Sequence, residues 1–308
     1  AELAKADLGT NMVGEFPELQ GVMGAYYAAG DGEAADVVEA LRGQYRNRFD
    51  APVTRETLTA AVLFIAERAE TLVGIWAIGL APTGERDPFG LRRAALGLIS
   101  AFEQLAAGGW LKIDADGPLS LDGLLELAAG AFPAGKIPAE TIAEVRTFIY
   151  ERYRNQLIAD ADRNAVEAVI ALTPPLHQVA ERVRAVAAFA GMPEAASLAA
   201  ANKRIGNLLK KAEGEIGQVD LARLVEPAEQ SLADAVARLR PEAEAQAAAG
   251  DFAGSLRTLA QVREPVDAFF ADVMVMAEDP AVRANRLALL AQLHGLMNRV
   301  ADISRLAQ

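Results

Sequence analysis

Pro265–Leu293, PVDAFFADVMVMAEDPAVRANRLALLAQL, is the stretch whose reading decides the fold. Val266, Phe269, Phe270, Val273 and Met274 stand at i, i+3, i+4, i+7 and i+8, which draws one apolar stripe along a helix. Glu278-Asp279-Pro280 ends that helix and starts another, with Asp279 as a capping residue and Pro280 suited to the first helical position. On the second helix Leu287, Leu290, Leu293, Met297 and Val300 share a face, while Arg283, Asn285, Arg286 and Arg299 fall elsewhere. The two aromatics, two methionines and dense leucines predict a helical hairpin with a large buried seam, the core of an all-α domain.

The composition agrees with that. The chain has 308 residues, 52% of them hydrophobic but only 6% aromatic, which suits Ala/Leu-rich helix packing better than β-sandwiches. Zero cysteines exclude a disulfide scaffold, a thiolate zinc site and a cysteine nucleophile. The longest uncharged run, Thr71–Gly84, is 14 residues, short of the roughly 20 needed to span a bilayer. A net charge of −12 argues against general attraction to nucleic acid and directs attention to local basic faces. Of six lysines, Lys203, Lys210 and Lys211 lie within nine residues.

Along the chain, helices are predicted after Pro17, with Leu19, Val22, Met23, Tyr26 and Tyr27 at helical spacing, and over Asp36–Tyr45. Thr57–Leu80 is apolar nearly all round and belongs in the middle of a bundle. Asp87-Pro88 offers a cap and first-turn proline for Phe89–Ala107. Residues 108–140 are dense in Gly and Pro, including Gly108-Gly109, Asp114-Ala115-Asp116-Gly117-Pro118, Pro133 and Pro138. They read as a junction, with one short helix at Leu121–Ala128 capped by Ser120. Helices follow at Thr141–Leu157, Asn164–Leu172, Val179–Ala190, Ala195–Lys211, Leu224–Leu239, from Asp251, and in the final hairpin. The expected domains are 1–107, a linker at 108–140, and 141–308.

Several long motifs carry a family resemblance. PVDAFFADVMVMAED, RANRLALL and RVADISRL resemble the C-terminus of the β subunit of bacterial heterotetrameric glycyl-tRNA synthetase, and KRIGNLLKK, AASLAAANKR and RVRAVAAF resemble the same domain. LAKADLGTNMVGEFPELQGVMGAYYA, TLVGIWAIGLAPTG and RDPFGLRRAALGLI resemble its central region. The resemblance implies an HD-like helical domain over 1–107, followed by a helical anticodon-binding domain of the DALR type. It also implies a cytoplasmic protein with tRNA(Gly) and the α subunit as partners in an α2β2 assembly, and no DNA or membrane partner. The starting point within the family and the absence of an initial methionine imply the C-terminal half of a longer subunit. In that family ATP, with Mg, and glycine are handled by the α subunit, so no cofactor is expected in this chain.

An HD site needs imidazole and carboxylate ligands from several helices. The only histidines, His177 and His294, lie far from 1–107. Asp7 stands at the pair's aspartate, and Glu67-Arg68 stands where the family pattern has its final aspartate. The expectation is a domain without metal. An HD-type nucleotide phosphohydrolase and an RNA-free scaffold that docks the α subunit are the alternatives. No phosphate-loop, dinucleotide, zinc-protease or nucleophile-elbow motif occurs.

Lys203, Arg204, Asn207, Lys210 and Lys211 form the first candidate tRNA-binding strip, with 203, 207 and 210 on one helical face and Leu198, Ile205, Leu208 and Leu209 on the other side. Such a strip offers charges and forks to phosphates and an amide to a base edge. The bland alternative is cations favoured at a helix C-terminus beside Glu213. Arg146, Tyr150, Arg152 and Arg154 form a second cluster, in which Tyr150 could stack a base or lie in the core. Arg86, Arg92 and Arg93 around Asp87 are a candidate surface for the acceptor side of tRNA or for the partner subunit. Arg283 and Arg286 are expected to pair with Glu278 and Asp279 and fix the hairpin turn. His177 and His294 read as structural.

Overall fold

The computed structural model describes residues 1–111, 120–212 and 216–307. Among these residues the chain forms fourteen α-helices joined by short 3₁₀ turns, with no strand beyond an isolated bridge between Thr83 and Arg86. The all-α expectation holds. Two compact units divide the chain: 1–155 with 175–177, and 156–174 with 178–308. Asp114, Ala115, Asp116, Gly117, Pro118 and Glu213 lie outside the described residues.

The first unit contains α1 (Asn11–Glu15), α2 (Val22–Gly30), α3 (Ala35–Gly43), α4 (Leu58–Ala77), α5 (Leu91–Ala107), α6 (Leu121–Gly130) and most of α7 (Thr141–Ile158). α4 is its axis, packed by α3, α5 and α6. Phe64, Leu72 and Val73 of α4 and Leu98 and Ile99 of α5 are wholly buried, as the apolar run predicts. α5 starts two residues later than expected. Gly90 adopts φ 66 at the cap position, and Asp87 caps from upstream, accepting from the N–H groups of Leu91 (2.8 Å) and Arg92 (2.9 Å).

The units divide elsewhere than at the expected junction. α6 is an integral helix: Leu121, Leu125 and Ala128 form a buried stripe against α4, and Ser120 caps it, accepting from Gly123 N at 3.0 Å. In α7 Val145, Phe148 and Ile149 are buried, the Trp76 and Phe148 rings lie 5.1 Å apart, and Tyr153 donates to Glu103. Gly and Pro density marked turns within the unit, while the short amphipathic stripe of α6 decided its packing.

α2 also differs from its apolar pattern. Val22, Tyr26 and Tyr27 are exposed, and Ala25 and Ala28 supply the buried side. Small residues allow close approach, and Asp7 takes the space beside Gly24.

The second unit holds α8 (Arg163–Ile170), most of α9 (Leu176–Ala190), α10 (Ala195–Leu209), α11 (Pro227–Ala248), α12 (Phe252–Ala260), α13 (Arg263–Asp272) and α14 (Pro280–Met297). α10 packs on α13, α14 and the 3₁₀ turn Ile303–Leu306, and α11 packs on α12, α13 and α14. The helix expected over Leu224–Leu239 extends to Ala248, through Pro241 and the alanine-rich tract.

The hairpin forms as predicted at its joint and on its second arm. Asp279 accepts from Ala281 N at 2.8 Å, Pro280 opens α14, and Leu287, Leu290, Leu293, Met297 and Val300 are buried. Its first arm is shorter. α13 stops at Asp272 and the backbone turns extended at Val273, so Val273 and Val275 point inward while Met274 and Met276 are exposed. Asn285 and Arg286, placed off the apolar face, are in fact buried.

Candidate nucleic-acid interface

α10 is positioned by its inward face. Leu198, Ala199, Asn202 and Ile205 are buried, and Asn202 exchanges amide hydrogen bonds with Asn298 (2.8 and 3.1 Å), whose Nδ2 also donates to the carbonyl of His294. A reciprocal amide pair, with Asn202 wholly buried and Asn298 half-buried, fixes the helix's rotation. The opposite face then carries Lys203, Arg204 and Asn207, and Lys210 and Lys211 follow at the helix end; all five are exposed. No carboxylate pairs with any of the four cations among the described residues. This is a cationic strip on an acidic chain.

Arg204 has a partner of another kind. Its guanidinium carbon lies 4.2 Å from the centroid of the Phe270 ring. Phe270, on α13, packs its ring edge-on to Phe269, with centroids 5.6 Å apart at 81°, and Phe269 is wholly buried. The sequence assigned Phe270 to the core. Neighbouring positions can both face a core, as Leu98 and Ile99 do on α5, so spacing alone does not tell Phe270 from Phe269.

His294 lies behind the same helix. A Cβ added at Gly206 would sit 3.5 Å from its Nε2. Burial lowers the imidazole's proton affinity below the usual histidine value, Asp302 partly restores it, and the charge of Lys210 lowers it further.

The second cluster does not assemble as a stacking site. Tyr150 is 6% exposed, so it packs as core and presents no face to a base. Arg146 pairs with Asp122 at 2.9 Å, Arg154 donates to Asn155, and the guanidinium of Arg152 lies 5.4 Å from the Phe148 centroid. Once α7 packs into the first unit, Arg146 serves α6 and Arg152 lies over a ring of α7 itself.

Around Asp87, Thr83 and Arg86 close a tight turn through two backbone hydrogen bonds, and Arg92 donates to the carbonyl of Gly84. Arg86 and Arg93 are exposed. Arg92 borders an open groove of about 880 Å³ shared with Trp76, Pro82, Glu144 and Arg152.

Arg283 and Arg286 do fix the hairpin turn, but not through Glu278 and Asp279. Arg283 donates to Ala277 O at 2.9 Å, and Arg286 donates to Met274 O at 2.7 Å and pairs with Glu229 of α11. His177 is half-buried at the start of α9.

In the region expected to be HD-like the acidic groups have structural work. Asp7 is buried, and its Oδ2 accepts from the N–H groups of Gly21 (2.5 Å) and Gly24 (3.3 Å). Glu67 pairs with Lys5 (3.4 Å) and Arg68 (3.2 Å). Arg68 is buried over the Phe64 ring, donates to the carbonyls of Gln44 and Arg46, and has its pKa pushed down to about 10 by desolvation. Among the described residues no three His, Asp or Glu side chains converge as a metal would require.

Comparison with known proteins places these units in a family. Residues 1–171 match the family model described as glycyl-tRNA synthetase beta subunit. A "Glycine--tRNA ligase beta subunit" of Leptothrix cholodnii is 50% identical over the whole chain, which covers 42% of that protein. The chain belongs to the glycyl-tRNA synthetase beta subunit family. Members so named from Ralstonia nicotianae and Neisseria gonorrhoeae are 50% and 46% identical, each covering all of this chain and each matched over 43% of its own length. The chain therefore spans about two fifths of the length of these curated relatives.

The beta-subunit family model runs past α7 into α8, beyond the expected junction at 108–140. Residues 198–303 match the model described as DALR anticodon binding domain, which takes in α10 to α14 of the second unit. No helix among the described residues is long and apolar enough to cross a membrane.

Proposed function

We propose that this chain is the part of a glycine–tRNA ligase β subunit that holds tRNA(Gly), with the second unit reading the anticodon loop. The observation that carries this is a coincidence of position. The exposed, carboxylate-free cations of α10 fall inside the 198–303 stretch matched by the anticodon-binding model, in a chain of net charge −12. An acidic body repels phosphates generally, so a local cationic strip sets where RNA can approach. Contacts from Lys203, Lys210 and Lys211 to phosphates set register, while Asn207 is placed to meet a base edge in a single-stranded loop.

Glycine attachment to tRNA is then carried out with the α subunit, which supplies the ATP and Mg chemistry within an α2β2 assembly. Arg86, Arg92 and Arg93 of the first unit offer a surface for the acceptor side or for that subunit. The role belongs to the cytoplasm, where protein synthesis takes place. The test is binding of labelled tRNA(Gly) to this chain beside a tRNA with another anticodon. Tighter binding of tRNA(Gly) supports the reading, and equal weak binding of both removes anticodon recognition from it.

A further inference from the structure

We propose that Arg204, laid on Phe270, is a preformed plate on which one unstacked base of the RNA loop stacks, rather than a charge that meets a phosphate. This rests on the tRNA-binding reading above and specifies what one residue of that site does. The guanidinium lies 4.2 Å from the centroid of the Phe270 ring, close enough for the ring to carry it. That ring is held in turn by its edge contact with Phe269, which has no exposed surface. The stack therefore runs from the core outward: buried Phe269, partly covered Phe270, exposed Arg204.

A guanidinium is planar and more weakly hydrated than an ammonium, and its flat faces stack on aromatic rings and bases. One face here is taken by Phe270, which removes much of the freedom a long side chain would lose on binding. The side chain is exposed, and no carboxylate competes for it among the described residues. Lys203 stands beside it and Asn207 one turn further on the same exposed side of α10, which supplies a charge for the adjoining phosphate and an amide for the edge of the stacked base. Phe270 acts only through Arg204 and is a positioning residue.

Charge and plane are separated by Arg204→Lys, which keeps the first and loses the second. Affinity of the 308-residue chain for tRNA(Gly) is measured over a salt series, with 2-aminopurine placed at each anticodon-loop position in turn to report unstacking. Arg204→Lys lowers affinity about tenfold, the order expected for one base–side-chain stack, while the salt slope stays that of the wild type. Phe270→Leu lowers affinity in the same direction, and the double variant binds no more weakly than Arg204→Lys alone. One 2-aminopurine position changes its emission on binding, and that change is lost in Arg204→Lys. Wild-type affinity in Arg204→Lys, or in Phe270→Leu, overturns the stacking role and leaves Arg204 a point charge. Failure of the wild-type chain to bind tRNA(Gly) at all removes the tRNA reading itself, and the plate with it.

Discussion

Arg286 of α14 and Glu229 of α11 form a buried ion pair, their side chains 8% and 1% exposed. Both partners make further polar contacts. The second oxygen of Glu229 accepts from the N–H groups of Val225 and Glu226, both at 2.9 Å, and Arg286 also donates to Met274 O at 2.7 Å. One contact thus ties the start of α11, the hairpin loop and α14 together. Removing one partner strands a buried charge, so Glu229→Ala or Arg286→Ala each destabilises the second unit by about 3–5 kcal/mol. Urea unfolding followed by circular dichroism measures this. A loss below about 1 kcal/mol in both variants is the outcome that contradicts a buried pair.

Much of this was legible in the sequence, and the failures have one cause. Capping by Ser120 and Asp279, the buried leucines of α14 and the central place of α4 follow from spacing and local chemistry, and all hold in the structure. What spacing cannot give is the partner across the fold. Arg286 was matched to nearby acids, whereas its acid stands 57 residues away, and Met274 continued an apolar stripe that ends when α13 stops at Asp272. At the candidate site, the exposed face of α10 was readable because the strip is contiguous in sequence. Phe270 beneath Arg204 was not, since the two meet only through the packing of α13 on α10. Tyr150 failed as a stacking residue for the same reason, because its burial depends on what α7 packs against.

Two glycines inside helices should respond oppositely to alanine. In general Gly→Ala in a helix stabilises by about 0.5–1 kcal/mol. At Gly295 of α14 a Cβ meets nothing within 4 Å, so that gain is expected in full. At Gly97 of α5 a Cβ would stand 2.8 Å from Arg68 Nε, 2.9 Å from Asn47 O and 3.1 Å from the Phe64 ring. The backbone carbonyl cannot give way, and Arg68 is held by the carbonyls of Gln44 and Arg46. Gly97→Ala is therefore destabilising, by about 1–3 kcal/mol. Thermal unfolding of both variants is the check, and a stabilised Gly97→Ala would contradict the close α4–α5 crossing.

The stability of the second unit should fall as pH drops below about 6.5, with His294 responsible for part of the slope. Burial lowers the histidine's folded-state pKa below the ordinary histidine value of 6.5. The sign follows from proton counts: below 6.5 the unfolded chain takes up a proton that the folded chain resists, so acid favours unfolding. The contribution is present above 6.5 and is lost as pH falls through the lowered folded value. His294→Gln should flatten this part of the profile while leaving stability above pH 7 less dependent on pH in both proteins. Urea midpoints measured across this range decide it, and an unchanged slope in the variant would assign the effect to other groups.

Charge reversal on the exposed strip should weaken tRNA binding where reversal on α7 does not. Lys203→Glu with Arg204→Glu turns two cations of α10 into acids on a chain that is already at −12. The affinity for tRNA(Gly) should fall by about 1–3 kcal/mol at low salt and by less at high salt, because counterion release supplies part of the lost free energy. Arg146→Glu introduces a charge change of the same sign, but Arg146 already spends its charge on Asp122 at 2.9 Å. It should leave affinity within about 0.5 kcal/mol of the wild type, the usual range for a surface change away from a site. Fluorescence anisotropy with labelled tRNA at two salt concentrations separates the two. Unchanged binding by the Lys203/Arg204 variant at both concentrations, or an equal loss in Arg146→Glu, would move the RNA surface off α10.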